Sequence, residues 1–301
     1  MASHSMTEVL PLPKRQFGKT GEDVPILGLG TAPGGFALPD AEAIEIYQAA
    51  LDLGVTYLDT APGYDRAQVQ LGHVMKKRRD EAFLVTKTFA AEGKKATEIL
   101  EQSLKDLQTD QVDLAFVHSV SSLDIEQVLA SDGALQALRD AQKRGLVRYV
   151  GITSHARPWK AVKILQDVEV DAVMFAMNYV DRHTYNFQGE ALNLAVAQGA
   201  GVAAMKVYGG APEMKYEDPT LSILGLSRPD RLETALRYAL GLQGVSTAVV
   251  GMYSLVELEQ NIAWARNYAP LTTEALTILD GEGKTLAKDW GEHFGPLAGD
   301  D

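Results

Sequence analysis

Four side chains of complementary chemistry stand at or just beyond the ends of short apolar runs. In VTYLDTAPGYD (55–65), Asp59 closes such a run and Tyr64 follows a Pro-Gly turn; Lys87 ends the run that begins at Phe83, and His118 the run that begins at Val112. A free phenol titrates near ~10, too high to exchange its proton readily at neutral pH. An ammonium at Lys87 is expected to stabilise the phenolate and lower that value, with Asp59 keeping the lysine charged and in place. A neutral imidazole at His118 can donate a hydrogen bond to a carbonyl oxygen and hold it beside the Tyr64 hydroxyl. Together the four suit protonation of a carbonyl oxygen as negative charge builds on it.

Each residue alone has a plainer reading: Asp59 as a satisfied buried acid, Lys87 as a snorkelling side chain, His118 as a hydrogen-bonded rim residue. Four such groups at successive run ends fit that explanation poorly. Other chemistries are served less well. Ser119 and Ser121 lie near His118, but no nucleophile elbow surrounds them. His73, His118, His155 and His183 show no metal-ligand spacing. Lys87 as a Schiff-base lysine stays open, with Tyr64 and Asp59 then reduced to helpers.

The elements that must position these groups follow a repeat. From Pro25 onward a five- to seven-residue apolar run is followed by a polar or glycine loop and then an amphipathic segment. The runs cover 26–31, 56–60, 83–87, 112–118, 147–153, 172–178, 201–207 and 247–252. Helical spacing of apolar residues marks 41–53 and 96–107, the latter with Ile99, Leu100, Leu104 and Leu107 on one face. Asp40 is placed to cap the first of these helices, and Gly54 to end it. Eight strand-helix units predict an α/β fold, a closed (β/α)₈ barrel in one domain spanning 1–301. A hairpin at 11–26 precedes it, and a helix (271–289) with a loose tail carrying Trp290, His293 and Phe294 ends the chain. An open doubly wound sheet is less suited, since no GxGxxG follows the first run. A barrel gathers strand ends on one face, and so brings Thr153, Ser154 and Asn178 toward Asp59, Lys87 and His118. The loop 208–228, with Gly209, Gly210, Pro212 and Pro219, reads as a lid or ligand clamp. Loops 89–94 and 119–131 and the tail are expected to complete a pocket, with Phe89, Tyr179, Tyr208 and Trp290 as walls or packing.

Composition narrows the partners. Hydrophobic residues make up 46% and charged residues 23%, which is globular and not disordered. A net charge of -12 repels phosphate backbones and anionic membranes, so the expected partner is a small molecule, not nucleic acid or membrane. The basic run Lys76-Lys77-Arg78-Arg79 reads as a solvated helix terminus. No cysteine is present, which excludes disulfides and thiolate chemistry and fits a reducing cytoplasm. The N-terminus lacks the basic-then-apolar order of a signal peptide, no segment is long and apolar enough to span a bilayer, and MASHSM is left out of the fold reasoning. Nothing in the pattern specifies an oligomeric state.

The motifs, in order, resemble those of the aldo-keto reductase family. They are VPILGLGT (24–31), LDTAPGY (58–64), TK (86–87), SLKDLQTDQVDLAFVHS (103–119), GLVRYVGIT (145–153), GVAAMKVYGG (201–210) and GMYSLVELEQN (251–261), and the likeness runs over 14–268. The resemblance implies a barrel capped by a hairpin, and an extended nicotinamide cofactor, NADH or NADPH, with no Rossmann domain. Its catalytic tetrad falls on Asp59, Tyr64, Lys87 and His118. It implies cofactor contacts from Gly30 and Thr31, from Thr153, Ser154 and Asn178 near the carboxamide, and from Met205, Lys206, Val207, Tyr208 and Gly209 along the ring and pyrophosphate. At the adenosine end it implies Gly251, Met252, Ser254, Glu257, Gln260 and Asn261. Hydride transfer with Tyr64 as the general acid would reduce aldehydes or ketones to alcohols.

Three positions depart from the family's pattern. Gly251 and Glu257 stand where many members carry basic residues for a 2′-phosphate, which leans toward NADH unless Arg228 or Lys206 substitutes. Met205 stands where many stack an aromatic ring. Thr153-Ser154, followed by His155, replaces the usual Ser-Asn pair. The alternatives are an NAD-dependent aldose 1-dehydrogenase working oxidatively on a sugar and, from another class, a cofactor-binding regulatory subunit of an ion channel.

Overall fold

A computed structural model describes residues 11–217 and 222–298. The readings of the extreme N-terminus and of Pro219 lie outside the described residues. Strands β1 (Lys14–Gln16) and β2 (Asp23–Pro25) form the expected antiparallel hairpin around a 3₁₀ turn. Phe17 is buried between them and packs edge-on against Tyr57 and Phe83 at 5.9 and 5.5 Å. It closes the end of the barrel at which the strands begin.

Eight parallel strands then close on themselves: β3 (Leu27–Gly30), β4 (Tyr57–Asp59), β5 (Phe83–Thr88), β6 (Val112–Val117), β7 (Val147–Ser154), β8 (Ala172–Ala176), β9 (Gly201–Met205) and β10 (Val245–Gly251), with β10 paired to β3. Period-two alternation divides each strand's side chains between two layers. Val85, Leu114, Phe116 and Met174 fill the barrel, while Leu84, Ala115, Val117 and Phe175 face the helices. Each large side chain buried this way contributes roughly 1.5–3 kcal/mol.

The surrounding helices are α1 (Ala32–Ala37), α2 (Asp40–Asp52), α3 (Ala67–Arg78), α4 (Gly93–Asp106), α5 (Ile125–Leu129), α6 (Ala134–Lys143), α7 (Pro158–Asp167), α8 (Glu190–Gln198), α9 (Ile223–Ser227), α10 (Leu232–Gly241), α11 (Leu255–Arg266) and α12 (Thr273–Trp290). Helix α4 buries Ala96, Leu100 and Leu104 along the predicted face. Among the described residues no helix is long and apolar enough to cross a membrane.

The differences from expectation have local causes. Asp40 does not cap α2; Pro39 holds that position, and the Asp40 carboxylate accepts from Gln70 Nε2 (2.9 Å) and pairs with Arg66 (2.9 Å). Gly54 does follow the end of α2, in the left-handed region at φ +91°. Helix α1, built from APGGFA, escapes detection because glycines are poor helix formers. Strand β9 stops at Met205 because Lys206 turns left-handed at φ +56°. In the basic run, Lys76 and Lys77 are exposed, but Arg78 bridges Asp52 and Glu81 and Arg79 reaches Asp113. The C-terminal tail is not loose, and Trp290 belongs to α12. His293 Nε2 sits 2.8 Å from Asp181 Oδ1, and the Phe294 amide donates to Tyr185 Oη at 2.8 Å. The loop 208–228 carries a 3₁₀ turn (Pro212–Met214) and α9, capped by Ser222 Oγ, where little helical pattern is visible in the sequence.

Candidate active site

The ends of β4 and β5 are held side by side by the ladder, in which Asp59 pairs with Val85. Asp59 thus projects beside Lys87, whose Nζ lies 2.7 Å from both of its carboxylate oxygens. The ammonium also donates to Thr60 O (3.0 Å) and Tyr64 Oη (3.4 Å), and lies 4.9 Å from the centre of the Tyr64 ring. Tyr64 is set by the loop after β4, packed against Gly35 so closely that a Cβ there would fall 1.9 Å from the Tyr64 carbonyl oxygen. His118 stands just past β6, its backbone N–H donating to Thr88 O at 2.9 Å, and its ring meets that of Tyr64 edge-on at 6.1 Å. The four residues expected at one site are together.

Burial sets the proton states. It raises the Asp59 carboxyl and lowers the Lys87 ammonium, and each is held back by its close partner. His118 lies well below the usual imidazole range, first through burial and then through Lys87 and Lys206, and is neutral at pH 7. The Tyr64 phenol corrects the sequence-based expectation: it is pushed well up, not down, by burial and then by Asp59 and Tyr216. The physical reason is that the Lys87 charge is matched by Asp59 at contact distance, while burial removes the water that would solvate a phenolate. Tyr64 therefore keeps its proton at neutral pH.

A cleft of about 320 Å³ opens over this cluster. Of the residues expected to contact a cofactor, Gly30, Met205, Lys206, Val207, Tyr208, Gly251, Glu257, Gln260 and Asn261 line it, with Asp59 and Tyr64. Its floor includes Met174, Met205 and Val249, the top layer of the barrel interior.

The remaining expected residues do not line the cleft, and several are occupied elsewhere. Thr31 donates twice to Asp59 O, from N (2.9 Å) and Oγ1 (3.0 Å). Thr153 Oγ1 accepts from the Ser119 amide at 2.8 Å, and Ser154 Oγ donates to Ala156 O at 2.9 Å. Asn178 uses its whole amide inside the protein: Nδ2 donates to Asp181 Oδ2 (2.6 Å) and Lys206 O (3.0 Å), while Oδ1 accepts from the amides of Val180 and Asp181. Ser254 caps α11, its Oγ accepting from Glu257 N at 3.2 Å. Gly209, Met252, Lys87 and His118 are not among the lining residues, though the His118 ring adjoins Tyr64 and His155, which are.

Some cleft residues carry little signal in the sequence. Tyr216, from the loop after β9, stacks on Phe36 at 6.2 Å, accepts a hydrogen bond from Lys206 Nζ and has that ammonium over its ring. Its only signal is a bulky aromatic in a glycine- and proline-rich loop. Pro33, Tyr253 and Trp264 also line the cleft, with no signal in spacing or type.

The sequence model of the aldo/keto reductase family matches residues 26–220. An uncharacterized oxidoreductase of Bacillus subtilis (strain 168), YqkF, is 28% identical over 304 residues, 90% of this chain and 96% of that protein. Methylglyoxal reductase DkgB of Salmonella typhi is 31% identical over 199 residues, 64% of this chain and 70% of that protein. Among solved structures, the holo form of aldo-keto reductase AKR11C1 from Bacillus halodurans has a TM-score of 0.74 at 25% identity, covering 90% of this chain and 96% of that one.

Proposed function

The chain belongs to the aldo/keto reductase family and is a carbonyl oxidoreductase, and from that premise we propose that it reduces aldehydes or ketones with a nicotinamide cofactor, Tyr64 serving as the general acid. The observation that carries this reading is the Lys87 ammonium, 3.4 Å from the Tyr64 hydroxyl and clamped by Asp59. The residues present fit such a cofactor. Gly30 and Gly251, in register across β3 and β10, leave the wall free of side chains, and Met174, Met205 and Val249 offer an apolar floor for a flat ring.

When bound there, a reduced nicotinamide would supply a hydride for the carbonyl carbon. Tyr64 gives its hydroxyl proton to the carbonyl oxygen, and the two transfers together leave an alcohol. Lys87 stabilises the phenolate left behind, and Asp59 acts only by fixing Lys87. His118, neutral, holds the carbonyl oxygen by a hydrogen bond and keeps it beside Tyr64. Asp59 and Lys87 are buried and Tyr64 and His118 half-buried, so little water weakens the Asp59–Lys87 pair that supports Tyr64.

Glu257 supports NADH over NADPH. Its carboxylate is fixed in the cleft by the Tyr253 amide, which donates to Oε2 at 2.8 Å, and it would repel a 2′-phosphate. Of the two cations that could compensate, Arg228 is paired with Asp230 (2.8 Å) and Glu282 (2.7 Å), and Lys206 points to Tyr216. The same loss of phosphate-binding charge suits the second reading, oxidation of an aldose with NAD. Nothing in the site favours the channel-subunit alternative.

Assays in both directions test the proposal: short aldehydes and ketones with NADH or NADPH, and aldoses with NAD. Turnover of carbonyl compounds with NADH preferred supports it. No carbonyl turnover with either cofactor, or turnover unaffected by loss of Tyr64, overturns it.

A further inference from the structure

Beside the four-residue cluster the cleft holds a second imidazole that the mechanism above does not use. His155 follows β7 directly and lines the cleft with Tyr64. Its ring centre is 6.2 Å from that of His118 and 6.0 Å from that of Phe294, so it lies between the reacting centre and the C-terminal tail. It is anchored on one side. Nδ1 lies 3.4 Å from Ser119 Oγ, and Ser119 is held left-handed at φ +53° with its amide on Thr153 Oγ1. Nε2 has no hydrogen-bond partner among the described residues. Burial, then Lys206, His118 and Lys87, hold His155 well below the usual imidazole range, so it enters the cleft neutral and keeps one hydrogen-bonding nitrogen to offer.

We propose that His155 is a specificity-determining residue that hydrogen-bonds an oxygen on the carbon next to the carbonyl. The preferred substrates would then be carbonyl compounds oxygenated at that carbon, α-hydroxy aldehydes and ketones or vicinal dicarbonyls. The inference rests on the carbonyl-reductase reading above. Hydrogen bonds reach about 2.9 Å, so two rings 6.2 Å apart can grip neighbouring oxygens of one small molecule, His118 taking the carbonyl and His155 its neighbour. Phe294, with its ring centre 6.0 Å from that of His155, adds an apolar face beside it. A site built to pair a substrate hydroxyl discriminates against the analogue that lacks it, because the polar group is then buried without a partner.

The test uses lactaldehyde, which carries a hydroxyl on the carbon next to the carbonyl, and propanal, which lacks it. Their kcat/KM values are compared in wild type, H155L and H155Q, all saturated with cofactor. Wild type is expected to favour lactaldehyde by about tenfold or more. H155L should bring that ratio close to one, chiefly by raising the Michaelis constant for lactaldehyde, and H155Q should retain part of it. A wild-type ratio near one, or a ratio unchanged in H155L, overturns the proposal; a structural role alone would lower both substrates together. A second measurement needs no turnover. Nitrogen-15 signals of the His155 ring should move on adding propane-1,2-diol and stay in place with propan-1-ol, and an equal response to the two alcohols also overturns it. If neither aldehyde is reduced, the carbonyl-reductase reading fails, and the ring signals still decide the role of His155.

Discussion

Lys87 sets its Nζ 2.7 Å from both carboxylate oxygens of Asp59, with the two side chains almost wholly out of solvent. Such a pair is not a source of net stability, since desolvation of two ions offsets their attraction. Removing one partner is a different matter, because the other is then buried alone. Asp59→Ala and Lys87→Ala should each lose about 3–5 kcal/mol, while the double replacement D59L/K87M should recover much of that loss. Denaturant unfolding of the three variants checks this, and losses that simply add would contradict it.

Gly35 and the Tyr64 carbonyl oxygen are packed with no room for a methyl group, since a Cβ at Gly35 would stand 1.9 Å away. Gly35→Ala must push the Tyr64 loop outward or strain α1. Overpacking of this kind costs about 1–3 kcal/mol, and the displaced phenol should lower kcat more than it changes KM. Thermal melts and steady-state kinetics read the two effects separately.

His118 and His155 both lie well below the usual imidazole range in the folded state, each through burial first. In the unfolded chain they titrate near ~6.5. Below that pH the unfolded state binds protons that the folded state refuses, so stability is fully present above the unfolded value and falls as pH drops through it. The slope is about 1.4 kcal/mol per pH unit for each histidine. Replacing His155 by Gln should flatten the fall between about pH 6.5 and 5; urea unfolding across that window gives the slopes, and equal slopes in wild type and variant would contradict the assignment.

Much of the barrel and the core of the site are legible in the sequence, for a physical reason. A strand buried on both sides reads as an unbroken apolar run, so a charge at its end, as at Asp59 and Lys87, has few explanations besides the open face of a barrel. Chemistry placed by loops is harder to see. Tyr216 reaches the cleft only because the loop after β9 folds across to Phe36, and no residue spacing encodes that distance. Asn178 has the right type and place, but its amide is fully taken up in holding Lys206 O and the adjoining turn. The direction of the Tyr64 shift follows from burial and charge matching, which composition cannot supply.

Glu257 joins two roles that a substitution can separate. As a cap it accepts from Tyr253 N at 2.8 Å, and as a charge it faces the cleft. Glu257→Gln keeps an accepting oxygen and removes the charge. Affinity for NADPH should then rise by about tenfold, as removal of one nearby like charge predicts, with NADH affinity little changed. Fluorescence titration of both cofactors measures this, and an unaltered NADPH affinity would show that the carboxylate does not choose the cofactor.

The proton step itself is most directly tested by Tyr64→Phe in single-turnover reduction of an aldehyde by enzyme preloaded with NADH. General acid catalysis by a positioned side chain contributes about 10²–10⁴-fold, so the rate of cofactor oxidation should fall by that factor while NADH binds as tightly as before. A variant that reduces the aldehyde within a few-fold of the wild-type rate would show that the proton comes from elsewhere, and Tyr64 would lose its role.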